Sequence, residues 1–356
     1  MRESPLARIL FGVFAALTVY ASLYPMEGWR DPGVSPFAYL TAPWPRHITR
    51  FDIAVNVLGY VPYGFLAATV LQPRLRASSA FIVATASALI LSLILEALQS
   101  YLPARIASNL DAICNVLGAA IGAAAAVRYG PALFEGAFAR LRESAFLPGV
   151  VIDLGLTLMG LWLFIQLNPT TLLFGAGDLR EFLGAREPRG ERPAFFITIE
   201  ALTAAANLTA ASLILSSLTA RAAAVRLQIA LLIGAALIVR TAAFAILMRA
   251  ENVLAWLTHG AQIGLAIGVV VALAAVSLPR GQRMILAALL IMAATVLVNL
   301  APPNPYLAAS LKVWQQGHFL NFNGLTRLVS ALWPFAALGY LMYLAGSRPR
   351  EAEQKP

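Results

Sequence analysis

Long apolar runs alternate with short polar segments along almost the whole chain, and each run is about as long as a helix that crosses a bilayer. Polar residues inside the early runs recur at spacings of three or four, which is the period of a helix face, and the alternation typical of strands is not visible. The pattern therefore predicts an all-α, polytopic transmembrane helical bundle of about ten spans. The predicted spans are residues 7–24, 51–71, 79–99, 111–129, 150–167, 195–218, 224–248, 253–278, 284–300 and 325–345.

Composition favours the same class. The 356 residues are 60% hydrophobic and 12% charged, whereas soluble domains carry about 25% charged residues. The formal net charge of +9 would suggest nucleic acid as a partner of a soluble protein. Here the basic residues recur in alternate loops, which is an orientation signal and predicts that both termini are cytoplasmic. We therefore expect membrane lipids, and no nucleic acid, as partners.

A shift toward polar composition predicts three regions. Residues 1–130 form a domain of four spans, residues 131–147 a cytoplasmic linker, and residues 148–356 a region of six spans with an outer segment at 301–324. The sequence has no convincing internal repeat, so the inverted-repeat sign of a secondary transporter is missing from it.

Three of the early spans carry lines of polar residues that end at the side predicted to face outward. The lines are Asp52, Asn56 and Tyr60; Glu96 and Gln99; and Asp111, Asn115, Gly118 and Gly122. Because lipid solvates carboxylates and amides poorly, these side chains should face each other. Together with Arg105, in the loop between two of the spans, the polar members form the predicted ligand-binding site. Gly118 and Gly122 are interpreted as helix-packing positions, because small residues let helices approach closely.

The acidic residues of this site also have structural interpretations. Asp52 and Asp111 stand where helices begin, and a carboxylate there can cap free backbone N–H groups. Glu96 lies inside an apolar run and needs a partner. An ion pair between Glu96 and Arg105 would lock helices together instead of binding a ligand.

A secondary outer cluster is predicted in the later spans. Glu200 and Arg240 fall in the outer halves of their spans and could pair across helices. The other members are Trp314, His318, Asn321 and Asn323. Their aromatic, imidazole and amide groups suit a lipid headgroup or a sugar, while a re-entrant or interfacial helix is the alternative. No metal site and no cofactor is predicted, because the sequence has no Cys/His cluster at ligand spacing, no nucleophile motif and no phosphate-binding loop.

Three motifs in the first region resemble those of the VanZ-like family. They are F-D-I-A-V-N-V-L-G-Y-V-P-Y-G-F at residues 51–65, E-A-L-Q at residues 96–99, and Arg105 followed by D-x-x-x-N-x-x-G-x-x-x-G at residues 111–122. The resemblance covers about residues 10–130. It implies a multi-pass protein of the bacterial cytoplasmic membrane with a role in the cell envelope. The family is named for a membrane protein linked to resistance against the glycopeptide teicoplanin.

The chain departs from the family at one position. Many members have a histidine where Asn56 stands. The amide still donates and accepts hydrogen bonds, but it does not titrate near neutral pH. A proton-transfer mechanism built on this position is therefore not supported.

Three functions compete at this stage. The favoured one is a non-enzymatic protein that binds a lipid, or a polyprenyl- or lipid-linked envelope precursor, at the outer leaflet. A lipid or small-molecule transporter or flippase would need a continuous polar path, whereas the inner halves of the first four spans are almost wholly apolar. An intramembrane acid–base enzyme would use Asp52, Glu96 or Asp111, but the sequence offers no nucleophile to accompany them.

Overall fold

The structure is a computed structural model that describes residues 4–45, 49–180, 192–247, 252–302, 304 and 320–346. Within these ranges the regular structure is helical, and one isolated bridge joins Phe146 and Thr219. The predicted all-α fold is confirmed. In the described ranges, eight helices are long and apolar enough to cross a membrane, and two shorter apolar helices accompany them. The total of ten spans and the side on which the termini lie stay predictions.

The helices alternate with short connections. They are α1 (Pro5–Leu23), α2 (Arg50–Leu71), α3 (Ala77–Gln99), α4 (Asn109–Phe134), α5 (Ala137–Ala145), α6 (Val150–Ile165), α7 (Pro193–Leu218), α8 (Val225–Leu247), α9 (His259–Ala275), α10 (Arg280–Leu300) and α11 (Leu320–Gly346). Short 3₁₀ helices lie at Ala38–Thr41 and Ala222–Ala224.

The helix α9 begins later than the hydropathy predicts. The predicted span starts at residue 253, but residues 253–256 form turns and the helix starts at His259. The Thr258 hydroxyl accepts a hydrogen bond from the backbone N–H of Ala261 (3.1 Å) and caps the helix. The apolar residues before Thr258 extend the hydropathy without extending the helix, which explains the difference.

The chain divides into two compact units, residues 1–144 and residues 145–356. The first unit contains α1 to α4 and most of α5. The second contains the remaining helices. The end of α4 and the whole of α5 occupy most of the predicted linker at residues 131–147.

In the first unit, α2 and α4 make the most extensive helix pair. Their backbones approach so closely that a Cβ added at Gly64, Gly118 or Gly122 would overlap backbone atoms of the facing helix. The interior is filled by alanine and aromatic side chains such as Tyr63 and Ala119, with Phe11 packed edge-on against Tyr63. Small residues thus set the distance between these two helices.

The second unit is built around α7. In its apolar window 89% of the residues are buried, whereas the other long apolar helices bury at most half of theirs. The helices α9 and α10 pack along α7, and α11 packs against α6 and α10. The indole N–H of Trp333 on α11 donates to the carbonyl oxygen of Leu158 on α6 (2.9 Å). The central α7 is therefore shielded from lipid on nearly all sides.

Candidate functional site

The ends of α1 to α4 that are predicted to face outward meet in one polar cluster, which begins at the last turn of α1. Arg105 Nη2 donates to the carbonyl oxygen of Ala21 (2.9 Å), and Gln99 Nε2 donates to that of Ser22 (2.9 Å). The last carbonyls of a helix have no partner within the helix. Two side chains from elsewhere in the unit therefore cap α1, and both belong to the predicted site.

The first turn of α2 uses Asp52 as a cap. Asp52 Oδ2 accepts hydrogen bonds from the Thr49 backbone N–H (3.2 Å) and hydroxyl (2.6 Å), and the Thr49 hydroxyl accepts one from the Asp52 backbone N–H (3.1 Å). This reciprocal arrangement is a capping box. The structural interpretation of Asp52 thus has direct geometric support.

The Glu96 side chain, from the last turns of α3, reaches the start of α4. Its Oε2 accepts a hydrogen bond from the backbone N–H of Ser108 (2.8 Å), while the Ser108 hydroxyl caps the Asp111 backbone N–H (3.3 Å). The carboxylate is 3% exposed. It therefore sits against the positive end of the α4 dipole, which stabilises a buried negative charge. Among the described residues Glu96 has no ion pair with Arg105, so the expected lock between these two residues is replaced by a backbone contact.

Two further buried polar groups lie one helical turn deeper. Asn115 Nδ2 donates to the Ser92 hydroxyl (3.0 Å), but Asn115 Oδ1 has no hydrogen-bond partner within the described chain. The Tyr60 hydroxyl lies near the hydroxyls of Ser22 and Ser92 without a hydrogen bond of good geometry to either. Tyr60 is 5% exposed and Asn115 is 6% exposed. Buried polar atoms normally have partners, so these two can accept hydrogen bonds from a ligand.

The less buried residues of the cluster connect it to the protein surface. Asp52 is exposed, and Asn56, Asp111 and Arg105 are half-buried. The side chain of Asn56 lies beside the Asp111 carboxyl group. A row of acidic and amide groups therefore runs from the surface to Glu96.

Two groups outside the spans feel this electrostatic environment. Burial lowers the pKa of the Arg105 guanidinium, and the nearby Glu96 carboxylate opposes that shift. Burial raises the pKa of the Tyr39 hydroxyl, and Glu96 adds to the increase. Arg105 nevertheless stays protonated, since guanidinium loses its proton only far above neutral pH. Its buried Nε has no hydrogen-bond partner among the residues described, so the cluster offers a donor as well as acceptors.

The model of the VanZ/LLP1 family matches residues 8–130. These residues form a VanZ-like domain. The match covers nearly all of the four helices that build the polar cluster, and the predicted resemblance is confirmed. No curated protein and no solved structure matches the chain.

Sequence reasoning missed three contributors to the VanZ-like domain's cluster. Ser92 stands four residues before Glu96, so the helical period would have placed it on the same face. Ser22 lies at the end of α1 and carries no such signal. Tyr39 lies in a 3₁₀ helix and donates through its hydroxyl to the carbonyl oxygen of Leu93 (3.2 Å). Only the folding of the segment before α2 back over α3 reveals this contact.

The secondary outer cluster is placed only in part. Glu200 is buried near Thr258, and Arg240 is close enough to influence it electrostatically, but the described residues show no ion pair between Glu200 and Arg240. Arg240 instead donates to backbone carbonyls after α6. Asn323 is buried in α11 and its Oδ1 has no partner within the described ranges. Trp314, His318 and the side chain of Asn321 lie outside the described residues.

The described residues contain no group of three or more His, Cys, Asp and Glu side chains that could hold a metal ion. The carboxylates of the VanZ-like domain are distributed along the row described above, next to helix N-termini and amides. The arrangement is suited to hydrogen-bond recognition of a polar group.

Proposed function

We propose that the VanZ-like domain is a non-enzymatic module that binds the headgroup of an envelope lipid, or of a lipid-linked envelope precursor, at the outer leaflet of the bacterial cytoplasmic membrane. The observation that carries the proposal is the buried set of Glu96, Asn115 Oδ1 and the Tyr60 hydroxyl, which has more acceptors than donors. Such a set selects a group that donates several hydrogen bonds, such as an ammonium.

Arg105 extends this recognition to a second charge. Its guanidinium is half-buried at the edge of the cluster, and within the described part of the chain only Nη2 has a hydrogen bond to a neighbour, the Ala21 carbonyl. A guanidinium with free donors suits a phosphate oxygen. The ligand class is therefore an amphiphile with a phosphate close to an amine.

The interior of the domain supports binding over transport. Below Tyr60 the described core consists of alanine and aromatic side chains. Two hydroxyls there are already engaged: Tyr63 donates to Ser87 (3.4 Å), and Thr69 donates to the Phe65 carbonyl (2.7 Å). The buried Thr85 hydroxyl has no partner among the described residues, but one hydroxyl does not make a polar path. A transporter would need polar groups free to line a path through this layer.

The test compares lipids that differ in their donors. We expect the purified full chain to retain phosphatidylethanolamine in native mass spectrometry about tenfold more strongly than phosphatidylcholine, whose quaternary amine carries the same charge but no N–H. A hydrogen bond to a charged group contributes about 1.5–3 kcal/mol, and about 1.4 kcal/mol is a tenfold change in affinity. The variant Glu96→Gln should remove most of this preference, whereas Glu143→Gln, on the exposed face of α5, should leave it intact.

Equal retention of both lipids by the unsubstituted protein would refute recognition by hydrogen-bond donors. The link to teicoplanin is tested separately in cells. We expect Glu96→Gln, at normal protein levels, to change teicoplanin susceptibility as deletion does. Unchanged susceptibility, with a clear effect of deletion, would separate the phenotype from this site.

A further inference from the structure

A buried, irregular segment follows α6 in the second unit. The helix ends at Ile165, and its 16 residues span only about 24 Å, less than the roughly 30 Å hydrocarbon core. The chain then continues without regular structure, yet Asn168 and Phe174 are fully buried. Irregular backbone at membrane depth is tolerated only where it is buried in protein or lines a polar cavity, because lipid cannot satisfy its N–H and C=O groups.

Arg240 of α8 supplies hydrogen-bond donors to several carbonyl groups of this segment. It is 2% exposed, and its guanidinium donates to the carbonyl oxygens of Gln166 (3.5 Å), Asn168 and Thr171. A buried guanidinium is stable only when its donors find partners, and here the backbone carbonyls of the segment accept from Nη1 and Nη2. The segment after α6 and the Arg240 guanidinium therefore stabilise each other in the fold.

Asn299 of α10 fixes the other end of the segment. Its Nδ2 donates to the carbonyl oxygen of Gly177 (2.6 Å), and its Oδ1 accepts from the backbone N–H of Leu179 (2.8 Å). The backbone N–H of Gly177 donates to the carbonyl oxygen of Ser330 on α11 (2.8 Å). The segment is thereby fastened to three helices.

A cavity of about 60 Å³ lies between this segment and the helices α7, α10 and α11. Its polar lining includes the hydroxyls of Thr170 and Ser330 and the ion pair of Asp178 with Arg180, and Phe196 contributes an apolar wall. Ser330 is 3% exposed, and its Oγ has no hydrogen-bond partner among the described residues. An unsatisfied hydroxyl in the wall of a cavity indicates that the cavity receives a polar group.

The ion pair limits the charge of that group. Arg180 Nε and Nη2 donate to the two carboxylate oxygens of Asp178 (2.9 and 2.6 Å), and Nη1 donates to the carbonyl oxygen of Ala301 (3.2 Å). The two charges neutralise each other, so neither an anion nor a cation gains much in the cavity. The volume has room for roughly four to six water molecules, which suits a group of a few heavy atoms.

We propose that this cavity is a binding site for a small, uncharged polyol of about the size of glycerol. Each hydroxyl of such a molecule both donates and accepts, which matches Ser330 Oγ and the neutral ion pair, and its C–H face can lie against Phe196. The polyol is either the terminal glycerol of phosphatidylglycerol or free glycerol. This site is independent of the one proposed for the VanZ-like domain.

The test uses the purified full chain in a detergent that carries no hydroxyl groups. Native mass spectrometry measures retention of phosphatidylglycerol, and equilibrium dialysis measures binding of radiolabelled glycerol. Because a neutral hydrogen bond contributes modestly, Ser330→Ala should weaken binding about two- to tenfold. The matched control is Ser212→Ala in α7, which removes an equally buried, unpartnered hydroxyl that does not line the cavity. A second variant, Ile199→Phe, fills the cavity from α7 and should abolish binding.

Loss of both probes in Ser330→Ala and Ile199→Phe, but not in Ser212→Ala, would support the site. If the variants lose only phosphatidylglycerol retention, the natural ligand is the lipid. If they lose only glycerol binding, the natural ligand is free glycerol. Binding of neither probe to the unsubstituted chain, or binding that both variants leave unchanged, would overturn the proposal and leave a cavity that holds water. Unfolding temperatures of the variants distinguish loss of the site from loss of the fold.

Discussion

The close approach of α2 and α4 makes Gly118→Ala the sharpest test of the VanZ-like domain's packing. An alanine Cβ at this position would lie 2.9 Å from the carbonyl carbon of Val57, and closer still to its oxygen. The obstructing atoms belong to backbone, so no rotamer change can move them away. The helices themselves must separate.

The size of this separation sets the expected cost. An ordinary carbon–carbon contact of about 3.5 Å requires the backbones to move apart by about 0.6 Å or more, and a gap of that size forfeits about a quarter of the dispersion energy of neighbouring contacts. Overpacking of a close-packed interior typically costs about 1–3 kcal/mol. We expect the upper half of that range, because Gly64 and Gly122 hold the same interface at similar distances.

Gly59→Ala is the matched control. Gly59 also lies within α2, but a Cβ there would meet nothing within 4 Å. Its substitution should be neutral or slightly stabilising, because alanine has the higher helix propensity. The difference between the two variants thus isolates the steric contribution.

The assay is reversible unfolding of the chain in bicelles, with the free energy of unfolding compared between the variants. Gly118→Ala should be less stable than Gly59→Ala by about 2–3 kcal/mol. Equal stability of the two variants would mean that the backbones of α2 and α4 are not in contact at Gly118. The close packing of α2 and α4, which places Asn56 beside Asp111, would then be refuted.

Two further predictions concern the second unit and the topology. Arg240→Gln should lower the free energy of unfolding by at least about 3 kcal/mol, because it leaves several buried carbonyls without donors. The control Arg226→Gln, on the exposed face of α8, should change thermal stability little. Similar melting temperatures of the two variants would contradict the anchoring role of Arg240. In a background without Cys114, cysteines at Ser78 and Ile106 should react with impermeant maleimide from opposite sides of the membrane, since the 23 residues of α3 span about 35 Å. Labelling from one side would overturn the topology.

The helical bundle could be predicted from the sequence because its signal is local. Apolar runs of about 20 residues have one stable form in lipid, and the spacing of Asp52 and Asn56, or of Asp111 and Asn115, places each pair on one helix face whatever the partners are. The caps formed by Thr49 and Ser108 are also local, since they depend on residues three positions apart.

The partners of the long polar side chains were decided by tertiary structure. Glu96 meets the Ser108 backbone and not Arg105, because the loop between α3 and α4 turns the guanidinium toward the end of α1. The sequence does not reveal whether a charged side chain binds another side chain or a backbone group. Free N–H groups at helix starts compete for carboxylates, and free carbonyls at helix ends compete for guanidinium groups.

The second unit shows the same division between local and non-local information. Hydropathy marks α6 and α8 as apolar helices, and it places Arg240 within a span. That this arginine holds the segment after α6, and that Ser330 faces a cavity beside it, depends on residues up to 160 positions apart that the fold brings together. The sequence alone determined which segments form apolar helices, because burial of backbone and apolar surface is a property of each segment. The position of the cavities was decided by packing between segments, which depends on the distances and directions that only the assembled helices define.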